Sequence, residues 1–126
     1  DIMSGTAAPG AAAGRKEVLE QAGIEVYEVE ADAQGRVSVA KVVEDLGNRG
    51  FRSIFVEGGA EVITSFLRAG LVHRMVVVTA PVIIGRGVEA IGELGITSLG
   101  QALRPRRSHV RRLGSDRVWE LVFDGP

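Results

Sequence analysis

The 126-residue sequence contains no cysteine. That absence excludes disulfides, thiolate metal sites and cysteine nucleophiles together. Histidine is nearly as scarce: His73 and His109 are the two in the chain, too few for a multi-histidine metal centre. Nor is there an excess of one charge. Fifteen Lys plus Arg against sixteen Asp plus Glu leave a formal net charge of -1, which offers no general attraction to nucleic acid. One local exception runs through Arg104, Arg106, Arg107, Arg111, Arg112 and Arg117. Such a cluster can attract a phosphate, but its ordinary reading is a solvated face or a subunit rim. No apolar run approaches the roughly 20 residues of a membrane-spanning helix, and no charged-then-apolar signal opens the chain. A cytoplasmic location is the default expectation.

What is present has the balance of a globular protein, 45% hydrophobic and 25% charged, in a length that suits one domain. The seventeen glycines are the most pointed feature, each marking a turn, a cap or a close backbone approach. The sequence opens at Asp1 directly on Ile2 and Met3, which reads as the tail of a strand that begins upstream.

Along the chain, Ala7 to Gly14 is small and glycine-broken, a loop or weak helix start. Arg15 to Ala22 carries helix formers, with Gly23 as terminator. Ile24 to Val29 is β-branched and aromatic, so a strand is expected. Asp32-Ala33-Gln34-Gly35 is turn chemistry. Ser38 caps a helix whose Val39, Val42, Val43 and Leu46 recur at helical spacing, and Asn48-Arg49-Gly50 ends it. Ser53 to Val56 and Met75 to Ala80 are continuous apolar runs that suit strands buried on both faces. Between them lies a helix with Val62, Ile63, Phe66 and Leu67 on one face and Gly70 as terminator. Gly92, Gly95 and Gly100 argue for loops and short turns in the 91–103 region. His109 to Leu113 and Arg117 to Phe123 flank Gly114-Ser115-Asp116 at hairpin spacing, with Trp119, Leu121 and Phe123 expected on a packed face. Alternating helices and strands imply an α/β fold with a mainly parallel central sheet and a C-terminal antiparallel pair.

In open α/β sheets ligands bind beyond the carboxyl ends of strands. The most loaded strand end is Phe55-Val56-Glu57-Gly58-Gly59-Ala60-Glu61, running straight into a helix. Two glycines permit close backbone approach, and a helix N-terminus offers unpaired N–H groups to phosphate. Thr64 and Ser65 could add hydroxyls, and Glu57 places a carboxylate beside the anion site. A plain strand-to-helix turn with a solvated Glu57 is the simpler alternative. Neither G-x-G-x-x-G after a strand nor G-x-x-x-x-G-K-[ST] is present to decide the matter.

The stretch Ser53-Ile54-Phe55-Val56-Glu57-Gly58-Gly59-Ala60, with Ser65 to Val72 and Ala80-Pro81-Val82-Ile83-Ile84-Gly85, resembles the riboflavin-biosynthesis reductase domain. That domain is the C-terminal part of the bifunctional pyrimidine deaminase/reductase. The upstream Gly23-Ile24-Glu25-Val26 and Gly35-Arg36-Val37 also fit. The resemblance implies a dihydrofolate-reductase-like fold of which residues 1–126 form the C-terminal portion, without its N-terminal strands. It further implies NADPH-dependent reduction of the ribosyl group of 5-amino-6-(5-phosphoribosylamino)uracil to ribityl. In this likeness Glu57 contacts the pyrimidine substrate, while Gly58, Gly59, Ala60, Glu61, Val62, Ile63, Thr64 and Ser65 wrap the cofactor phosphates. Gly58-Gly59 becomes a candidate for a cis peptide, and Ser4 and Thr6 approach the adenosine part of the cofactor. A homodimer is implied as well. No catalytic acid is assigned and no metal is expected. His73-Arg74 stands where many relatives carry an acidic residue, so a surface role suits His73, and an edge position suits His109. Two other readings stay open: a non-catalytic nucleotide-binding or dimerisation domain, and a same-fold reductase for another pterin- or pyrimidine-like substrate.

Overall fold

A computed structural model describes residues 9–125, with side chains from residue 14 onward. Ile2, Met3, Ser4 and Thr6 lie outside the described residues. The chain divides between Ile54 and Phe55 into two compact units.

The described residues of the first unit hold two helices. Helix α1 spans Pro9–Gln21, so the small residues after Pro9 join the helix and do not form a loop. Alanine is the best helix former, and proline is tolerated at a first helical position because its missing N–H has no intrahelical partner. Helix α2, Val39–Asn48, starts at Ser38 as expected, where the Ser38 side chain accepts from the Lys41 N–H. Both helices end in the same way. After α1, Gly23 at φ 76° donates to the Glu20 carbonyl and Ile24 to that of Leu19, each at 2.9 Å. After α2, Gly50 donates to Gly47 at 2.9 Å and Phe51 to Leu46 at 3.0 Å. This pairing satisfies carbonyls that the last helical turn leaves open.

The expected strand Ile24–Val29 joins no ladder; among the described residues of the unit the sole strand-like contact is an isolated bridge between Ala31 and Val37. Its docking is electrostatic instead. The Arg49 guanidinium lies 3.2 Å from the Tyr27 ring centroid and is held by Asp45 at 2.8 Å. The Asp32 turn closes on its own carboxylate, which accepts from the N–H groups of Arg36 at 2.8 Å and Gln34 at 2.9 Å. These amides, that of Arg36 foremost, hold the Asp32 carboxyl below the ordinary aspartate range, with the Arg36 guanidinium adding to the effect.

The second unit contains α3 (Ala60–Arg68), β1 (Arg74–Thr79), a 3₁₀ turn (Leu99–Gln101), β2 (Arg107–Leu113) and β3 (Asp116–Val122). Its sheet differs from the parallel arrangement expected. It has three strands in the order β1-β3-β2, and both pairings are antiparallel. The apolar runs that were to supply parallel neighbours, Ile24–Val29 and Ser53–Val56, join no strand pair, so no parallel pair forms among the described residues. The C-terminal hairpin is present as expected. It turns on Gly114 and Ser115, with Gly114 at φ 61°, a conformation suited to the first position of a II′ turn.

Register decides which side chains are covered. Val118 sits between Val78 and Arg111 in the pairing and is 2% exposed. Trp119, one residue on and therefore on the opposite face, is 52% exposed. The face expected to be packed is thus the more open one at its centre, and the deepest burial falls on the other. Strand β1 is likewise not buried on both faces: Val76 and Val78 are exposed, Met75 and Val77 half-buried. Cover changes sides across the sheet: on edge strand β1 it falls on Met75 and Val77, which share the Trp119 face, whereas on β3 it is deepest at Val118 on the other. Just before β1, the His73 carbonyl accepts from the Phe123 N–H at 2.9 Å, and any Cβ on Gly125 would collide with the His73 ring.

Two measurements check this fold. Val118→Ala should cost about 2 kcal/mol in denaturant unfolding through lost burial and a residual cavity, while exposed Val78→Thr should stay within ~0.5 kcal/mol. The Asp32 carboxyl, followed by NMR, should titrate below the usual midpoint of about 3.9. Arg36→Ala should keep most of that depression, because the backbone N–H that causes it remains. Stabilisation by this turn is therefore present above the unfolded-state value and fades as pH falls through the lower folded one.

Candidate functional site at the start of the third helix

Helix α3 begins directly after a backbone of exposed residues, Glu57, Gly58 and Gly59. Gly59 is the N-cap, at φ -69° and ψ 175°, and provides no side-chain cap. Its carbonyl takes the N–H groups of Val62 and Ile63 at 3.1 and 3.2 Å. The N–H groups of Ala60 and Glu61 have no acceptor among the described residues. The result is a helix N-terminus with free donors and its positive end open, arranged to receive an anion.

The two glycines differ physically. A Cβ at Gly58 would stand 3.0 Å from the Val62 Cβ, so a side chain there would require Val62 to give by a few tenths of an ångström. A Cβ at Gly59 would meet nothing within 4 Å, and its φ is one that any residue adopts. The Gly58-Gly59 peptide is trans, as is every peptide among the described residues, which corrects the expected cis form. The cis state costs a non-proline bond about 3–4 kcal/mol, and no described contact offsets that cost.

The remaining residues of the stretch have distinct placements. Ala60 and Ile63 are half-buried, and Glu61 and Val62 exposed. The Glu61 carboxylate stands in the first turn, where it favours the helix dipole. Thr64 is buried, and its Oγ1 accepts the Gly92 N–H at 2.7 Å. The Ser65 hydroxyl donates back to the Glu61 carbonyl at 2.8 Å. Both hydroxyls that the sequence offered to a ligand are thus engaged within the chain, which leaves the main-chain N–H groups as the open donors.

Sequence reasoning missed what Thr64 does. One helical turn later, Arg68 donates to the Glu93 carbonyl, so α3 holds the 92–93 loop at two points four residues apart. The signal was the turn cluster Ile91-Gly92-Glu93-Leu94-Gly95 opposite a helix carrying polar residues at i and i+4. Beside it lies an open depression of about 240 Å³ lined by Leu67, Arg68, Leu94, Gly95, Ile96, Gln101 and Leu103. The 91–103 region is accordingly more ordered than a glycine count suggests: Ser98 and Gln101 cap each other across the 3₁₀ turn. Among the described residues no cluster of three His, Asp or Glu side chains could hold a metal ion, and no helix is long and apolar enough to cross a membrane.

With this geometry in view, comparison with known proteins is informative. The profile of the RibD C-terminal domain matches residues 7–119. The chain belongs to that family. It is 34% identical over 104 residues to the riboflavin biosynthesis protein RibD of Aquifex aeolicus (strain VF5), covering 82% of this chain and 28% of the relative. RibD of Mycobacterium tuberculosis (strain CDC 1551 / Oshkosh) is 33% identical over 69 residues, 55% of this chain and 20% of the relative. A solved structure of Acinetobacter baumannii RibD (form 2) superposes with a TM-score of 0.68 at 22% identity, covering 84% of this chain and 28% of that one. That likeness shows the shared fold. The chain spans roughly a quarter of the length of the RibD proteins it matches.

The Thr64 anchor can be measured directly. Thr64→Val leaves the Gly92 N–H without its acceptor and should cost about 1–3 kcal/mol, with faster amide exchange at Gly92. Thr64→Ser should restore most of the protection.

Proposed function

We propose that this chain is part of an NADPH-dependent reductase of riboflavin biosynthesis that converts the ribosyl group of 5-amino-6-(5-phosphoribosylamino)uracil to ribityl. The observation that carries this reading is the open start of α3 in a RibD C-terminal domain: free N–H groups on Ala60 and Glu61 beside a glycine whose side-chain space is empty. A cofactor phosphate fits there, because its oxygens can take the free donors and its approach would use the volume a Cβ at Gly59 would fill. NADPH would supply the hydride that the sugar C1′ requires.

The chain's own residues would bind and orient. Gly58, Gly59, Ala60 and Glu61 would cradle the phosphate through the backbone, with Val62, Ile63, Thr64 and Ser65 holding the helix that presents those donors. Thr64 would act indirectly, by keeping α3 fixed to the 92–93 loop. The Glu61 carboxylate is close to that anion site and would set a limit on how much negative charge it tolerates. Glu57, exposed just before the turn, would accept hydrogen bonds from the pyrimidine N–H groups. Alignment of the nicotinamide with the sugar would then supply much of the rate, as holding two reactants in place does. A homodimer is part of this reading, supported by exposed Val76 and Val78 on edge strand β1.

The experiment is a pair of substitutions in the full-length parent protein. Gly59→Val should leave folding intact, because its backbone and space admit a side chain, yet weaken NADPH binding at least tenfold by titration. Glu57→Gln should lower turnover of the aminopyrimidine ribotide while leaving NADPH affinity within about twofold. Unchanged NADPH binding in Gly59→Val would refute the cofactor assignment. NADPH binding with no turnover in the unmodified parent would favour a non-catalytic nucleotide-binding domain.

A further inference from the structure

The arginine-rich segment resolves, in the sheet, into two differently equipped faces. On one, Arg111 pairs with Glu120 at 3.3 Å. On the other, Arg112 of β2 and Arg117 of β3 stand directly opposite each other in the register. Both are exposed, and neither forms an ion pair or hydrogen bond with any described residue. Like charges at directly opposed positions destabilise a sheet. Thr79 of β1 completes the same row, paired with Arg117. The next row on that face is Val110, Trp119 and Val77, in which Trp119 is 52% exposed.

The face therefore reads, from the hairpin turn inward, as two uncompensated guanidiniums and a hydroxyl followed by an open indole. We propose that it binds a phosphorylated ligand with a planar aromatic body, the phosphate bridging Arg112 and Arg117 and the ring resting on Trp119. Guanidinium forks match phosphate oxygens in geometry as well as charge. A bridging anion removes the repulsion that the empty pair suffers. Thr79 supplies a neutral donor beside it. Trp119, two residues along β3 from Arg117 and diagonal to Arg112, offers a π-face within reach of a ring attached to the phosphate. This site uses the Trp119 face of the β1-β3-β2 sheet, at its hairpin end, and none of the residues at the start of α3.

Trp119 is the only tryptophan in the chain, so its emission reports on this face directly. The probes are ADP, inorganic pyrophosphate and adenosine, titrated at constant ionic strength with excitation at a wavelength beyond adenine absorption. ADP should quench or shift Trp119 emission in a saturable way. Pyrophosphate should bind more weakly and adenosine more weakly still. Arg112→Gln and Arg117→Gln should each raise the half-saturation concentration for ADP at least tenfold. Without ligand, each should raise the melting temperature by ~1–4 °C, because the like-charge pair is relieved. Gain of stability with loss of response is an outcome that simple misfolding does not produce. Gly59→Val should leave the Trp119 response unchanged, which separates this site from the cofactor assignment. No saturable response, equal responses in the unmodified chain and the arginine variants, or equal responses to pyrophosphate and to matched sulfate would overturn the proposal.

Discussion

The second unit depends on one strand pairing with two others. Strand β3 is the shared neighbour of β1 and β2, and Val118 at its middle is the most deeply covered side chain among the described residues. The tight turn at Gly114 brings β2 against β3, and β3 then offers its second edge to β1. His73 extends that edge by one more hydrogen bond to Phe123. The helix start at Gly59 belongs to the same unit but owes its position to other contacts. Thr64 and Arg68 tie α3 to the 92–93 loop. A substitution in the sheet and one in the helix anchor therefore act through separate contacts.

The start of α3 shows how function follows from an unmet requirement. An α-helix leaves its first N–H groups without intrahelical partners, and most helices answer with a capping side chain. Helix α2 does so through Ser38. Helix α3 has glycine at the equivalent place and no side-chain cap. Ser38 takes the Lys41 N–H in α2; in α3 the equivalent Val62 N–H falls to the Gly59 carbonyl, the Ala60 and Glu61 N–H groups stay open, and the hydroxyls of Thr64 and Ser65 are turned to other partners. Open donors behind a glycine that carries no capping side chain are what suit the junction to an anion.

Much of this was legible in the residues. Ser38, Gly23, Gly50, Gly70 and the Gly114-Ser115 hairpin carry local signals, and each acts within a few positions of itself. The Glu57–Ser65 stretch was found by the same local logic, strengthened by its likeness to a family. The failures share a cause. Whether Ile24–Val29 or Ser53–Val56 pairs is a matter of which distant strand meets it, and an apolar run carries no record of its partner. Trp119 and Val118 exchange places for a related reason: period two separates two faces but does not say which one is covered. The trans peptide at Gly58-Gly59 was beyond local reading too, since glycine permits either form sterically and the surroundings decide.

Gly58 and Gly59 stand side by side but answer to different constraints. Val62 presses on the first, because a side chain there would crowd its Cβ. Nothing in the described fold enforces the second. Variation at position 58 is thus a record of helix packing, while variation at 59 would be a record of what the helix end must accommodate. Among related sequences, a chain that had lost its ligand would be free to drift at 59 and still be held toward glycine at 58 by the crowding at Val62. The two adjacent letters would then distinguish an inherited shape from a working site.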